Sequence, residues 1–155
     1  MIELRRAGRD DAYPLWLWAN DEATRAVSGD RPLIAWPDHL DWYRDRLASP
    51  NALILIAESL DRRPVGAIRF ESTDAWTVAR LSYVVAPESR GQGIGWELLT
   101  RGTAHLLREA AAVTIEAVVR ASNTPSIRLF QRLGWRSERR PDGQWLFRGP
   151  NREAV

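Results

Sequence analysis

Residues Leu81–Gly95 read LSYVVAPESRGQGIG, and the rest of the chain can be laid out from them. LSYVV is a short apolar run rich in β-branched residues that ends before Pro87, as a buried strand does. Gly91, Gly93 and Gly95 follow, and then the helical pattern WELLTRGTAHLLREA. A strand, a tight turn and a helix succeed one another, with glycine where the helix begins. The first N–H groups of a helix have no partner inside it, and its dipole adds positive potential, so such a turn attracts anions, above all phosphate.

Working downstream, the helix after Gly95 extends to about Ala111 and returns to a strand at Val113–Arg120, which closes a β-α-β unit. Asn123 opens a last helix, NTPSIRLFQRLG, which stops at Gly134 with the expected capping asymmetry. Trp135–Ser137 and Gln144–Arg148 read as terminal strands about the Pro141-Asp142-Gly143 turn. Working upstream, Trp76–Val85 is a strand, preceded by a hairpin of Leu53–Glu58 and Val65–Glu71 turning at Asp61–Pro64. Trp36–Ala48 has helical spacing with Pro37 in its first turn. NDEATRAVSGDRP loses periodicity and reads as loop or a weak helical turn. Asp10 or Asp11 caps a helix through Ala19, and Ile2–Arg6 is the first strand. The order is β-α-α-β-β-β-α-β-α-β-β, an α/β fold with a largely antiparallel sheet and one parallel crossover.

A chain of 155 residues with 45% apolar and 27% charged composition fits one domain with a real core, here residues 1–150, with a frayed tail at 151–155. No apolar run is long enough for a membrane span, and MIELRRAGRDD lacks the apolar core of an export signal, so a cytoplasmic location is expected. The absence of cysteine removes disulfide and thiolate chemistry, and no metal site is expected. Net charge is only +2, and Arg136, Arg139 and Arg140 form the one small basic group, so no nucleic-acid partner is expected. The eight tryptophans suit both a core and a ligand cleft.

A Walker loop would need Gly-Lys at the end of the turn, and a dinucleotide fingerprint would need Gly-x-Gly-x-x-Gly; the spacing Gly91-x-Gly93-x-Gly95 is neither. Arg90-Gly-Gln-Gly-Ile-Gly95 instead resembles the acetyl-CoA signature Arg/Gln-x-x-Gly-x-Gly/Ala of the Gcn5-related N-acetyltransferases (GNAT). Asn123–Trp135, NTPSIRLFQRLGW, resembles the second signature of that family. The resemblance implies a GNAT-like acyl-CoA N-acyltransferase fold, with a splayed strand pair in a mixed, mostly antiparallel sheet and flanking helices. It also implies acetyl-CoA as cofactor. Backbone groups of Val84 and Val85 would hold the pantetheine arm in the notch. Arg90, Gly91, Gln92, Gly93, Ile94 and Gly95 would hold the pyrophosphate, and Asn123 and Ser126 would reach the arm.

Direct transfer of acetyl from a thioester to an amine needs a base for the amine and a donor for the departing thiolate. In many relatives the donor is a Tyr at the position of Phe130, which cannot serve, so the proton must come from another residue or water. Tyr83, Glu116 and His39 are the candidates for base work; His105 reads as packing. Three segments resemble enzymes that acetylate the 4-amino group of UDP-linked amino-dideoxy sugars on the route to pseudaminic acid. They are Trp18, Asn20, Asp21, Glu22 and Arg25; His39, Leu40, Trp42 and Tyr43; and Ile54–Glu58 with Pro64, Gly66 and Ile68. Ala19 departs from the pattern. The resemblance implies tryptophan stacking on the nucleotide and pairing of Arg25 or Arg31 with its diphosphate. Acetylation of protein N-termini or of small amines including aminoglycosides, and a non-catalytic acyl-CoA-binding module, are the other readings. Monomer and homodimer both remain open.

Overall fold

The computed structural model of the chain describes residues 1–28, 32–110 and 113–150. Its seven-stranded sheet comprises β1 (Glu3–Arg6), β2 (Ala52–Glu58), β3 (Pro64–Ser72), β4 (Val78–Val85), β5 (Thr114–Val119), β6 (Arg136–Arg139) and β7 (Trp145–Gly149). The helices are α1 (Ala12–Ala19), α2 (Glu22–Val27), α3 (Trp36–Ala48), α4 (Ile94–Glu109) and α5 (Thr124–Arg132), with short 3₁₀ turns at Arg9–Asp11 and Pro87–Ser89. The expected α/β order holds, with α2 as an additional element. Asp21 caps it by accepting from the Thr24 N–H, which makes a defined helix within the segment read as loop or a weak helical turn. Helix α4 ends at Glu109, before the expected Ala111, which with Arg31 and the 151–155 tail lies outside the described residues.

The strands lie in the order β1-β2-β3-β4-β5-β7-β6. Among the described residues only β4 and β5 run parallel. The last strand enters between β5 and β6, an insertion that periodicity along the chain cannot reveal. Strand alternation divides the core into two layers. Ile68, Phe70, Ala79 and Leu81 pack with Leu98, Leu99 and Phe130 of α4 and α5 on one face, while Ile54, Ile56 and Ala67 pack with Trp18 and Tyr43 on the other. Helix α4 sits close to the sheet because Gly102 carries no side chain: a Cβ there would lie 2.8 Å from Ile68 Cδ1.

One irregularity of pairing creates the site. Strand β3 follows β4 along its full length, from Ser72↔Ala79 to Gly66↔Val85. On its other side β4 pairs with β5 only from Val78↔Thr114 to Arg80↔Glu116, and β5 then turns wholly to β7. Backbone groups at residues 81–85 that point toward β5 therefore meet no strand, and a cleft opens between the two strand ends.

Candidate active site

The cleft between β4 and β5 has a volume of about 640 Å³ and is lined by Val84, Val85, Arg90, Asn123, Ser126 and Tyr83, among others. A second cavity of about 440 Å³ lies under α1, α2 and α3, with His39, Trp42, Asp38, Arg25 and Arg69 in its walls. Thr24, Ser28, Arg69, Ser82, Tyr83 and Val84 line both. The two cavities thus meet across the free end of β4.

The turn at the cleft mouth fits a diphosphate. Gly91 and Gly93 have φ of +75° and +80°, and a Cβ on either would meet nothing within 4 Å. Among the described residues, none of the N–H groups at positions 91–96 donates to a protein acceptor, and the α4 ladder starts with Glu97 N–H to the Gly93 carbonyl. Those donors surround open space at the positive end of a sixteen-residue helix. Gly95 differs. A Cβ there would sit 3.1 Å from Leu129 Cδ2 and 3.6 Å from Tyr83, so this glycine lets α4 approach α5. Ile94 is buried in the core, which leaves only its backbone for a ligand.

The side chains expected around the cofactor have partners of their own. Arg90 donates to Asp21 Oδ2 at 2.9 Å and to Thr24 Oγ1 at 3.1 Å, tying α2 across the cleft instead of lying free at the turn. Gln92 reaches only the Glu88 carbonyl. Asn123 caps α5, its Oδ1 accepting from the Ser126 N–H, and its place in the cleft wall adds to that cap role. Ser126, buried one turn before Phe130, accepts the Tyr83 hydroxyl at 3.0 Å.

Of the three candidate catalytic residues, two line the second cavity and one lines neither. Tyr83 lines both cavities, and burial raises its pKa against the opposing hydrogen bond to Ser126, so the phenol keeps its proton. His39 is buried with its Nε2 2.8 Å from the Ala12 carbonyl. A carbonyl only accepts, so Nε2 carries the proton and Nδ1 keeps a lone pair. Burial, opposed only by that bond, lowers the His39 pKa. The expectation for Glu116 is corrected. It lies at the paired end of β4 and β5, 3.0 Å from Arg148 and 3.6 Å from Arg80, and lines neither cavity. Both of its carboxyl oxygens are engaged by guanidiniums, Oε1 by Arg148 and Oε2 by Arg80.

The segments matched to nucleotide-sugar enzymes are largely structural. Trp16, Trp36, Tyr13 and His39 pack ring to ring at 5.4–6.0 Å, Trp18 is in the core, and Asn20 clamps both backbone groups of Ile34. Among the described residues only Trp42 brings an indole to the second cavity, and Arg69 lies over that ring at 4.8 Å. Arg69 itself escaped the sequence reading. Its only signal is a charge inside the otherwise apolar first part of β3.

A splayed parallel pair beside a glycine turn and a capped helix defines an acyl-CoA N-acyltransferase fold. Residues 2–136 match the family model described as the acetyltransferase (GNAT) domain, and the chain belongs to that family. It is an acetyl-CoA-dependent N-acetyltransferase by that membership. No curated protein matches it by sequence. Among solved structures, a spermidine N-acetyltransferase from Vibrio cholerae, in complex with CoA and spermine, is similar with TM-score 0.82 and 16% identity over 95% of this chain and 92% of that one. The aminoglycoside acetyltransferase AAC(6')-Ib with coenzyme A has TM-score 0.76 and 24% identity over 99% and 96%. A domain from Methanocaldococcus jannaschii has TM-score 0.79 and 17% identity over 96% and 97%. No helix among the described residues is long and apolar enough to cross a membrane.

Proposed function

We propose that the chain acetylates a primary amine of a small molecule, with acetyl-CoA in the β4/β5 cleft and the amine in the cavity beneath α1–α3. The meeting of the two cavities at Tyr83 and Val84 carries this reading. When bound, the cofactor supplies a thioester acetyl group. The unpaired N–H groups at 91–96 would hold its diphosphate, and the free edge of β4 at Val84 and Val85 would hold its amide arm. His39 Nδ1 accepts the amine proton directly or through one water. Tyr83 holds the proton that a departing thiolate needs, and Ser126 orients the phenol. In this way Tyr83 takes the part that Phe130 cannot play, from the neighbouring strand. The ring of Phe130 stays in the core, edge-on to Tyr83 at 6.2 Å and stacked on Phe147 at 4.9 Å.

Small-molecule amines also appear among the names of the similar structures, one a spermidine and one an aminoglycoside acetyltransferase. They favour that reading over a nucleotide-linked amino sugar, for which the tryptophan positions offer little free ring surface. The test is release of free thiol from acetyl-CoA with a panel of primary amines, UDP-4-amino sugars and N-terminal peptides. Turnover with a small amine is expected, and turnover confined to peptides or to the nucleotide sugar would overturn it.

A further inference from the structure

The charges in the second cavity are the reverse of what a polycation would need. Its described lining contains two guanidiniums, Arg25 and Arg69, against one carboxylate, Asp38. Arg69 stands where the two cavities meet, on the sheet floor between Ile54 and Ser82. Its charge is incompletely matched. Glu71 lies 3.4 Å from Arg69 Nε but also 2.9 Å from Arg46 Nε, so one carboxylate is shared by two cations. The Nε atom of Arg25 is buried without a hydrogen-bond acceptor among the described residues, and that of Arg69 meets only the shared Glu71 carboxylate at 3.4 Å. A buried donor of this kind is costly to leave unmade, and a planar guanidinium fork suits a carboxylate or phosphate.

We infer that the acceptor amine carries an anionic group, a carboxylate or a phosphate, which Arg69 and Arg25 hold at the inner end of the acceptor cavity. The inference rests on the reading of that cavity as the acceptor site. A polyamine would bring further positive charge against Arg25 and Arg69.

The test uses matched amines that differ in the anion alone: lysine against cadaverine, tyrosine against tyramine, and O-phosphoethanolamine against ethanolamine, with spermidine as the polycation. In at least one pair the anionic member should have the higher kcat/KM by about tenfold or more, and whether a carboxylate or the phosphate pair responds identifies the anion. Arg69→Gln should raise KM for that member with kcat largely kept, Arg69→Lys should restore part of the loss, and Arg25→Gln should act in the same direction more weakly. Equal or better turnover of cadaverine, tyramine, ethanolamine and spermidine, unaltered in Arg69→Gln, would overturn the inference. If no amine is turned over, the transfer reading falls, and calorimetry on the unmodified protein still decides this one. Tighter binding of N-acetyltyrosine than of N-acetyltyramine, or of N-acetyl-O-phosphoethanolamine than of N-acetylethanolamine, supports the anion site, and equal binding within both pairs refutes it. Because Arg69 is partly buried, the melting temperature of Arg69→Gln is compared with that of Arg25→Gln, whose place on a short surface helix leaves the sheet intact.

Discussion

His39 shows how a single contact sets a residue's chemistry. The Ala12 carbonyl selects the tautomer, and burial keeps the ring neutral, with its pKa below the ordinary 6.5. A neutral base is available at and above that pH, so the acid limb of kcat/KM is expected below 6.5. His39→Ala should lower kcat about a hundredfold and remove that limb while acetyl-CoA affinity stays the same; a retained limb would assign it elsewhere. Stability follows the same sign. The unfolded chain takes up a proton near 6.5 whereas folded His39 resists it, so stability present above 6.5 is lost as pH falls toward the folded value. The urea midpoint should drop further between about pH 7.5 and about pH 5.5 in the wild type than in His39→Gln. On the opposite side of the junction, Tyr83→Phe keeps the packing against Phe130 and removes only the hydroxyl that Ser126 accepts. It should lower kcat about a hundredfold with a small change in KM, and an unchanged kcat would leave the thiolate without need of a donor.

Among the elements, β4 bears most of the function because its two edges differ. One edge is fully paired to β3 and the other is released beyond Arg80. The paired edge is also tightly packed. A Cβ on Gly66 would fall 2.8 Å from the Val84 carbonyl oxygen and 2.9 Å from Leu98 Cδ1. Backbone cannot give way as a side-chain tip can, so Gly66→Ala should destabilise by about 1–3 kcal/mol and displace β4 at the cleft. Urea unfolding checks the first part. Calorimetric loss of acetyl-CoA affinity checks the second, and full affinity in a destabilised variant would show that β4 absorbs the strain without moving. Helix α2 is the element that sequence reading underrated. Six residues with weak periodicity give little signal, yet Asp21 and Thr24 bind Arg90 from the far side of the cleft, and Arg25 lines the second cavity.

For the whole molecule, the half-sheet nearest the N-terminus is fastened by one charged knot. Asp11 is buried and accepts twice from Arg5, at 2.7 and 2.8 Å, and once from the Gly8 N–H, while Arg5 also meets Glu58. Burial alone would raise the Asp11 pKa, but the Arg5 and Gly8 bonds outweigh it and hold the carboxyl below its ordinary 3.8. Its contribution is present above 3.8 and lost as pH falls through the folded value. Asp11→Asn should cost about 1–3 kcal/mol at neutral pH, and the gap to the wild type should narrow as pH falls below 3.8 in urea titrations; a constant gap would remove the linkage. The turn at Gly91–Gly95, the helix behind it, the capped helix from Asn123 and the antiparallel strands were all legible along the chain. Each depends on local signals: glycine at positive φ, a cap, or a period of two or of 3.6. Class and cofactor followed from the resemblance of Arg90–Gly95 and Asn123–Trp135 to the acetyltransferase signatures. The release of β4 from β5, the insertion of β7, the exclusion of Glu116 by two arginines, the use of the tryptophans as packing, and the meeting of Arg69, Tyr83 and His39 were settled in three dimensions. They depend on partners far apart in sequence, and periodicity reports which face a residue takes but not what waits opposite it.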